Sequence, residues 1–154
     1  MSISIVVVDD HNLYRQGVRT LLETTPDFRI VGETDNGLDA FTMAELLHPD
    51  VIVLDWVMPG LSGLEVTQLV HKCIRDTHVI IVSQHDDDTY VQLAVKSGAC
   101  GFILKEDAAD HLEKAIRAAA AGQHYFSPSL DVKGNGGVAA NYLDPERSQD
   151  FKHN

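Results

Sequence analysis

The stretch Val51-Ile52-Val53-Leu54-Asp55-Trp56-Val57-Met58-Pro59-Gly60 decides the fold. Its first four residues are aliphatic with no polar residue between them. A strand wetted on one side would alternate, so this one is covered on both faces. A carboxylate stands directly at its end, and the Pro59-Gly60 pair behind it calls for a turn. Working outward, the same signature recurs at Ser4 to Val8, Arg29 to Gly32, Val79 to Ser83 and Gly101 to Leu104. Strands buried on both faces need helices above and below them.

The intervening stretches supply those helices. Leu13 to Glu23 sets Leu13, Gly17, Val18, Leu21 and Leu22 at helical spacing, and Leu38 to Leu47 stops before His48-Pro49, where the residue preceding a proline disfavours helix. Leu64 to Ile74 follows the third strand. Thr89 to Ser97 is opened by Asp86-Asp87-Asp88, which cap the helix and match its dipole, and is closed by Gly98. Ala108 to Ala121 is Ala-rich and ends at Gly122. Strands alternating with helices predict an α/β fold, a doubly wound parallel sheet with right-handed crossovers.

The 154 residues fit one domain, predicted to span residues 1–127. From residue 128 onward a linker or tail without fixed structure is expected, because Asp131 to Asn154 carries Gly134, Gly136 and Gly137 and few apolar side chains. No apolar run is long enough to span a bilayer, and Met1-Ser2-Ile3-Ser4 lacks the basic region of a secretion signal, so a cytoplasmic protein is expected. A formal net charge of -11 repels phosphate-rich polymers, and direct DNA binding by this chain is not expected. Cys73 and Cys100 stand far apart without ligand-spaced neighbours, which indicates neither a disulfide framework nor a structural zinc site.

Chemistry converges at one sheet edge. In open α/β sheets the ligand crevice lies outside the carboxyl ends of the strands. Asp9 and Asp10 arrive there from the first strand, Asp55 from the third, Ser83 from the fourth and Lys105 from the fifth. Clustered carboxylates raise one another's pKa or recruit a hard divalent cation, for which Mg²⁺ with several retained waters is the natural candidate. An ammonium, a hydroxyl and that cation can together orient a phosphoryl group, with Asp55 the best-placed nucleophile. Each residue alone has a plain structural use: Asp9 or Asp10 as a helix cap, Ser83 as a strand-end hydroxyl, Lys105 as a solvated charge. Convergence of all five is what outweighs those uses. The eight histidines are scattered, with no helical His-x₃-His pair, and are not expected to form a metal site of their own.

The motifs Val6-Val7-Val8-Asp9-Asp10-His11, Leu54-Asp55-Trp56-Val57-Met58-Pro59-Gly60 with Gly63, Val82-Ser83 and Gly98-Ala99-Cys100-Gly101-Phe102-Ile103-Leu104-Lys105 resemble the receiver domains of two-component response regulators. The resemblance spans about residues 3 to 127. Arg15-Gln16-Gly17, Asp86-Asp87-Asp88-Thr89-Tyr90 and Ala119-Ala120-Ala121-Gly122-Gln123 look like the NarL/LuxR-type subfamily. The resemblance implies a flavodoxin-like five-stranded sheet of order 2-1-3-4-5. It implies Asp55 as phosphoacceptor for a sensor histidine kinase, Mg²⁺ held by Asp9, Asp10, Asp55 and the Val57 backbone carbonyl, and Ser83 and Lys105 on the phosphoryl group. Phe102 matches an aromatic switch residue whose rotamer reports on Ser83.

The implied output is transcription, through a DNA-binding domain for which 154 residues are too few. The alternative is a stand-alone receiver acting through protein contacts, and a homodimer is allowed. Tyr142-Leu143-Asp144-Pro145-Glu146-Arg147 is similar to the start of such a DNA-binding domain. Gln84, where a small residue is usual, is expected to hinder phosphodonor access, and Val57 and His85 occupy positions that tune dephosphorylation. An aspartyl-phosphatase would need Asp-x-Asp after its first strand. A flavin-binding module would need a glycine- and hydroxyl-rich loop there, and Asp9-Asp10 fits neither.

Overall fold

The computed structural model describes residues 2–130. The elements run β1 (Ile3–Val8), α1 (Asn12–Glu23), β2 (Phe28–Thr34), α2 (Gly37–Leu47), β3 (Val51–Asp55), α3 (Gly63–Cys73), β4 (His78–Ser83), α4 (Asp88–Lys96) and β5 (Gly101–Leu104). A 3₁₀ turn over Lys105–Asp107 leads into α5 (Ala108–Ala120), followed by β6 (Tyr125–Phe126) and a single turn, α6 (Pro128–Leu130). All strand pairs are parallel, in the order β2-β1-β3-β4-β5-β6.

Side-chain alternation splits the aliphatic strands into two cores. Val6, Val8, Ile52, Leu54, Val79, Ile81, Phe102 and Leu104 pack under α2, α3 and α4. Ile5, Val7, Val51, Val53, Ile80, Val82 and Ile103 face Val18 and Leu22 of α1 and Leu112, Ala115, Ile116 and Ala119 of α5. Val51, Ile52 and Leu54 are wholly buried, as their unbroken apolar run requires.

Local chemistry sets the helix limits. The Asn36 side chain accepts the Asp39 N–H at the start of α2, and the Asp87 side chain accepts the Thr89 N–H at the start of α4. Ser62 and Glu65 form a reciprocal capping box on α3. His48 closes α2 in the left-handed region at φ 43, directly before Pro49.

Two expectations are corrected. The sheet has six strands rather than five, because Tyr125 N–H reaches the Cys100 carbonyl and Ser127 N–H the Phe102 carbonyl, which lays Tyr125–Phe126 along β5. Two residues carry no periodicity, so nothing in the sequence marks them as a strand. Ordered packing also continues past residue 127: Leu130 is fully buried in the α2–α4 core, and Asp107 accepts hydrogen bonds from the Ser127 and Ser129 hydroxyls. The rest of the tail expected from residue 128, namely residues 131–154 with Tyr142 to Arg147 among them, lies outside the described residues. Leu13 departs from the expected apolar face of α1, being 84% exposed, while Val18 and Leu22 are buried.

Candidate functional site

The strand order reverses between β1 and β3, so the crevice opens outside their carboxyl ends. Asp9 and Asp55 stand there, 3% and 5% exposed. The Asp9 backbone is tied down twice, its N–H donating to the Thr34 carbonyl at 3.2 Å and its carbonyl accepting from Arg15 Nη1 at 2.6 Å. Arg15 in turn donates to Glu33 at 3.2 Å, coupling α1 to β2 behind the site. Asp55 is held by the chain that follows it. Trp56 N–H donates to the Val82 carbonyl at 3.3 Å, and Gly63 N–H returns to the Trp56 carbonyl at 2.9 Å. That return is so close that a Cβ at Gly63 would lie 2.3 Å from the Asp55 carbonyl oxygen, which makes a side chain there impossible without displacement.

Lys105 enters from the end of β5 and bridges the two buried carboxylates. Its Nζ lies 3.3 Å from Asp9 Oδ2 and 3.5 Å from Asp55 Oδ2, with the side chain only 11% exposed. The ammonium also sits 4.5 Å above the centre of the Tyr14 ring. Asp10 is the outer member of the group, with a side chain 31% exposed. Three carboxylates thus face one ammonium, and the balance is anionic. Burial, and next the charge of Asp9, push the Asp55 carboxyl up to about 6 against the opposing pull of Lys105. Burial and the same carboxylates push the Tyr14 hydroxyl up to about 12.

His11 joins the cluster although histidines were set aside in the sequence. Ligand atoms of Asp9, Asp10, His11 and Asp55 all lie within 4.8 Å of one another. The cause is local, since His11 N–H donates to Asp9 Oδ1 at 2.8 Å and folds the residue back over the pair. Tyr14 and Arg15 were likewise not singled out as site residues, because their places depend on how α1 docks. For Mg²⁺ the donor chemistry fits: the ion takes oxygen ligands and keeps several waters, and the carboxylates of Asp9, Asp10 and Asp55 gather at one place with Asp10 at its wetter rim.

Ser83 shares the edge but stands apart. Asp55 pairs in register with Val82, and Ser83 with Leu104. By alternation Ser83 follows Val79 and Ile81 toward the α2–α4 side, whereas Asp55 follows Val51 and Val53 toward the other. The residue is 1% exposed, its hydroxyl accepts the His85 N–H at 3.0 Å, and among the described residues no hydrogen bond joins it to Asp55 or Lys105. Phe102 is fully buried, with its ring 6.3 Å from that of Trp56. Trp56 meets Tyr90 edge-on at 5.0 Å, and Tyr90 stacks on His85 at 4.4 Å, so an aromatic chain runs from β5 to the loop that holds Ser83. Val57 is 58% exposed in the turn after β3. A groove of about 680 Å³ opens beside the site between α1 and the start of α5, with Leu13, Tyr14, Gln84 and Lys105 among its walls.

Comparison with known proteins agrees with this architecture. The family profile of the response regulator receiver domain matches residues 5–117, and the chain belongs to that family. It is a signalling domain of the NarL/LuxR type. The transcriptional regulatory protein DegU of Brevibacillus brevis is 39% identical over 128 residues, covering 83% of this chain and 54% of DegU. The nitrate/nitrite response regulator NarL of Escherichia coli is 37% identical over 146 residues, covering 94% of this chain and 67% of NarL. The chain therefore spans about half to two thirds of the length of these relatives. Among solved structures, the signal receiver domain of NarL from Mycobacterium tuberculosis superposes with a TM-score of 0.77 at 36% identity, covering 79% of this chain and 98% of that one. Among the described residues no helix is long and apolar enough to cross a membrane.

Proposed function

We propose that this domain accepts a phosphoryl group on Asp55 from a sensor histidine kinase and turns it into a change of surface shape that controls transcription. The observation that carries the proposal is the convergence of Asp9 and Asp55 on Lys105, whose ammonium lies 3.3 Å from one carboxylate and 3.5 Å from the other at the switch point of the sheet. Asp9, Asp10, Asp55 and the Val57 backbone carbonyl would hold Mg²⁺. When bound, that ion supplies positive charge for the phosphoryl oxygens and holds Asp55 ionised.

An Asp55 oxygen attacks phosphorus. The P–N bond to the donor imidazole breaks, and its electron pair leaves with the imidazole. Lys105 releases Asp55 Oδ2 and keeps its donors for the product oxygens, while Asp9 Oδ2 holds it in place. Ser83 accepts a hydrogen bond from His85 but keeps its own proton to donate, so a phosphoryl oxygen can draw it inward. The His85 loop moves with it, and Tyr90, Trp56 and Phe102 repack in turn. The groove beside the site, with Leu13 standing out from α1, offers the kinase an apolar landing next to Lys105, and Gln84 on its wall narrows the approach for small donors. The name of the relative DegU, a transcriptional regulatory protein, supports transcription as the output, with DNA contacted outside residues 2–130. A cytoplasmic location follows from this reading.

The test is intact-mass measurement after incubation with acetyl phosphate, with Mg²⁺ or with chelator, on wild type and Asp55→Asn. One added phosphoryl group is expected only in wild type with Mg²⁺. Equal labelling of the Asp55 variant would move the acceptor elsewhere.

A further inference from the structure

We propose that Tyr14 is a positioning residue of this site, its ring face keeping the Lys105 ammonium in place while the carboxylates beside it are drawn into the chemistry. The inference rests on the phosphoacceptor reading above and adds to it the side chain that steadies Lys105. The ammonium has contacts of two kinds: ion pairs to Asp9 Oδ2 at 3.3 Å and Asp55 Oδ2 at 3.5 Å, and the face of the Tyr14 ring, whose centre lies 4.5 Å away. The ion pairs do not last unchanged through the proposed reaction. Asp55 Oδ2 belongs to the nucleophile, and both carboxylates are groups that would turn toward a divalent cation. Asp9 is then left as a single charged anchor, about which a flexible four-carbon stem can pivot. The ring takes no part in either event, so its attraction for the ammonium survives both.

The ring is itself fixed by groups outside the chemistry. Tyr14 packs from α1 against the core that contains Val18, Ala108 and Leu112. With the Lys105 side chain 11% exposed, the contact is shielded from water, where the attraction of a cation for a ring is stronger. Tyr14 and Lys105 also share the wall of the groove between α1 and α5. One turn further along α1 the wall is Gly17, where even a Cβ would meet nothing within 4 Å, so a lysine stem that left the ring would swing into open space. The Tyr14 hydroxyl anchors nothing, being buried with no hydrogen-bond partner among the described residues. The ring is therefore the part that acts, and phenylalanine should serve in its place.

The test follows Lys105 and the reaction together in wild type, Tyr14→Phe and Tyr14→Leu, with Tyr14→Met replacing the last if it does not fold. In protein carrying ¹³C-labelled lysine and no cation, the Lys105 ε-methylene resonance, assigned by its loss in Lys105→Arg, should stand upfield of the other lysines through the ring current of Tyr14. It should stay there in Tyr14→Phe and return to the ordinary position in Tyr14→Leu. At saturating Mg²⁺ and acetyl phosphate, the labelling rate read by intact mass should fall roughly two- to tenfold in Tyr14→Leu and recover in Tyr14→Phe, with Mg²⁺ affinity unchanged in both. An unshifted Lys105 resonance in wild type, a Tyr14→Leu protein labelled as fast as wild type, or a loss that Tyr14→Phe does not recover overturns the proposal. In each of those cases, labelling of wild type and not of Asp55→Asn leaves the phosphoacceptor reading standing. If wild type takes up no phosphoryl group, that reading fails and the positioning role fails with it.

Discussion

Replacing Asp55 by Asn should make the cation-free protein more stable, although it deletes the group on which the proposed chemistry depends. The Asp55 carboxyl is pushed from its ordinary 3.8 up to about 6, first by burial and then by Asp9. An acid whose folded pKa lies above its unfolded value holds its proton better in the native state. Native stability therefore falls as pH climbs from about 4 through about 6, and it levels off above. At about 1.4 kcal/mol per pKa unit the fall approaches 3 kcal/mol. Water at the rim and loss of the Lys105 contact reduce the gain from Asn to about 1 to 2 kcal/mol. For a domain of this size that is on the order of 5 °C in Tm. The assay is thermal unfolding in chelator from about pH 4 to 8, with wild type and variant together near pH 4 and diverging toward pH 7. Millimolar Mg²⁺ should then raise wild type more than the variant, because binding to the native state alone stabilises it. A variant melting at or below wild type in chelator near pH 7 would refute the electrostatic account of the site.

Tyr14→Phe should leave the unfolding free energy unchanged or raise it by about 1 kcal/mol, since the Tyr14 hydroxyl is buried without a hydrogen-bond partner among the described residues and the ring under Lys105 is kept; a loss above about 1 kcal/mol in chemical denaturation would point to an unseen partner. Gly63→Ala should cost about 3 kcal/mol or more and lower cation affinity as well, because the new Cβ meets the Asp55 carbonyl at 2.3 Å; a soluble variant with wild-type melting and Mg²⁺ binding would show that the loop yields easily.

Much of this molecule is legible from residue order alone. Unbroken runs such as Val51 to Leu54 announce strands buried on both faces, and Asp9, Asp55 and Lys105 follow strand ends closely enough for topology to bring them together. Features that depend on a second element are not legible in this way. Tyr125–Phe126 becomes a strand only because β5 offers an unpaired edge. Leu13 fits an apolar helical pattern yet stands at the crevice mouth, where no strand lies beneath it. Ser83 shows the finer limit, since strand order puts it at the right edge while the two-residue period turns it away from Asp55. His11 escapes notice because ligand spacing rules look for helical pairs, and its approach comes from a backbone bend between neighbours.

The short β6 has a practical meaning for anyone who excises this domain. Main-chain groups of Gly101 to Leu104 that would otherwise lie bare along the sheet margin are engaged by Tyr125 and Ser127, with Leu130 tucked in behind. A polypeptide cut after Gly122 would keep every residue of the proposed phosphoryl-accepting pocket and still present a sticky apolar border to its neighbours, inviting edge-to-edge clumping. The sensible place to cut lies beyond Leu130.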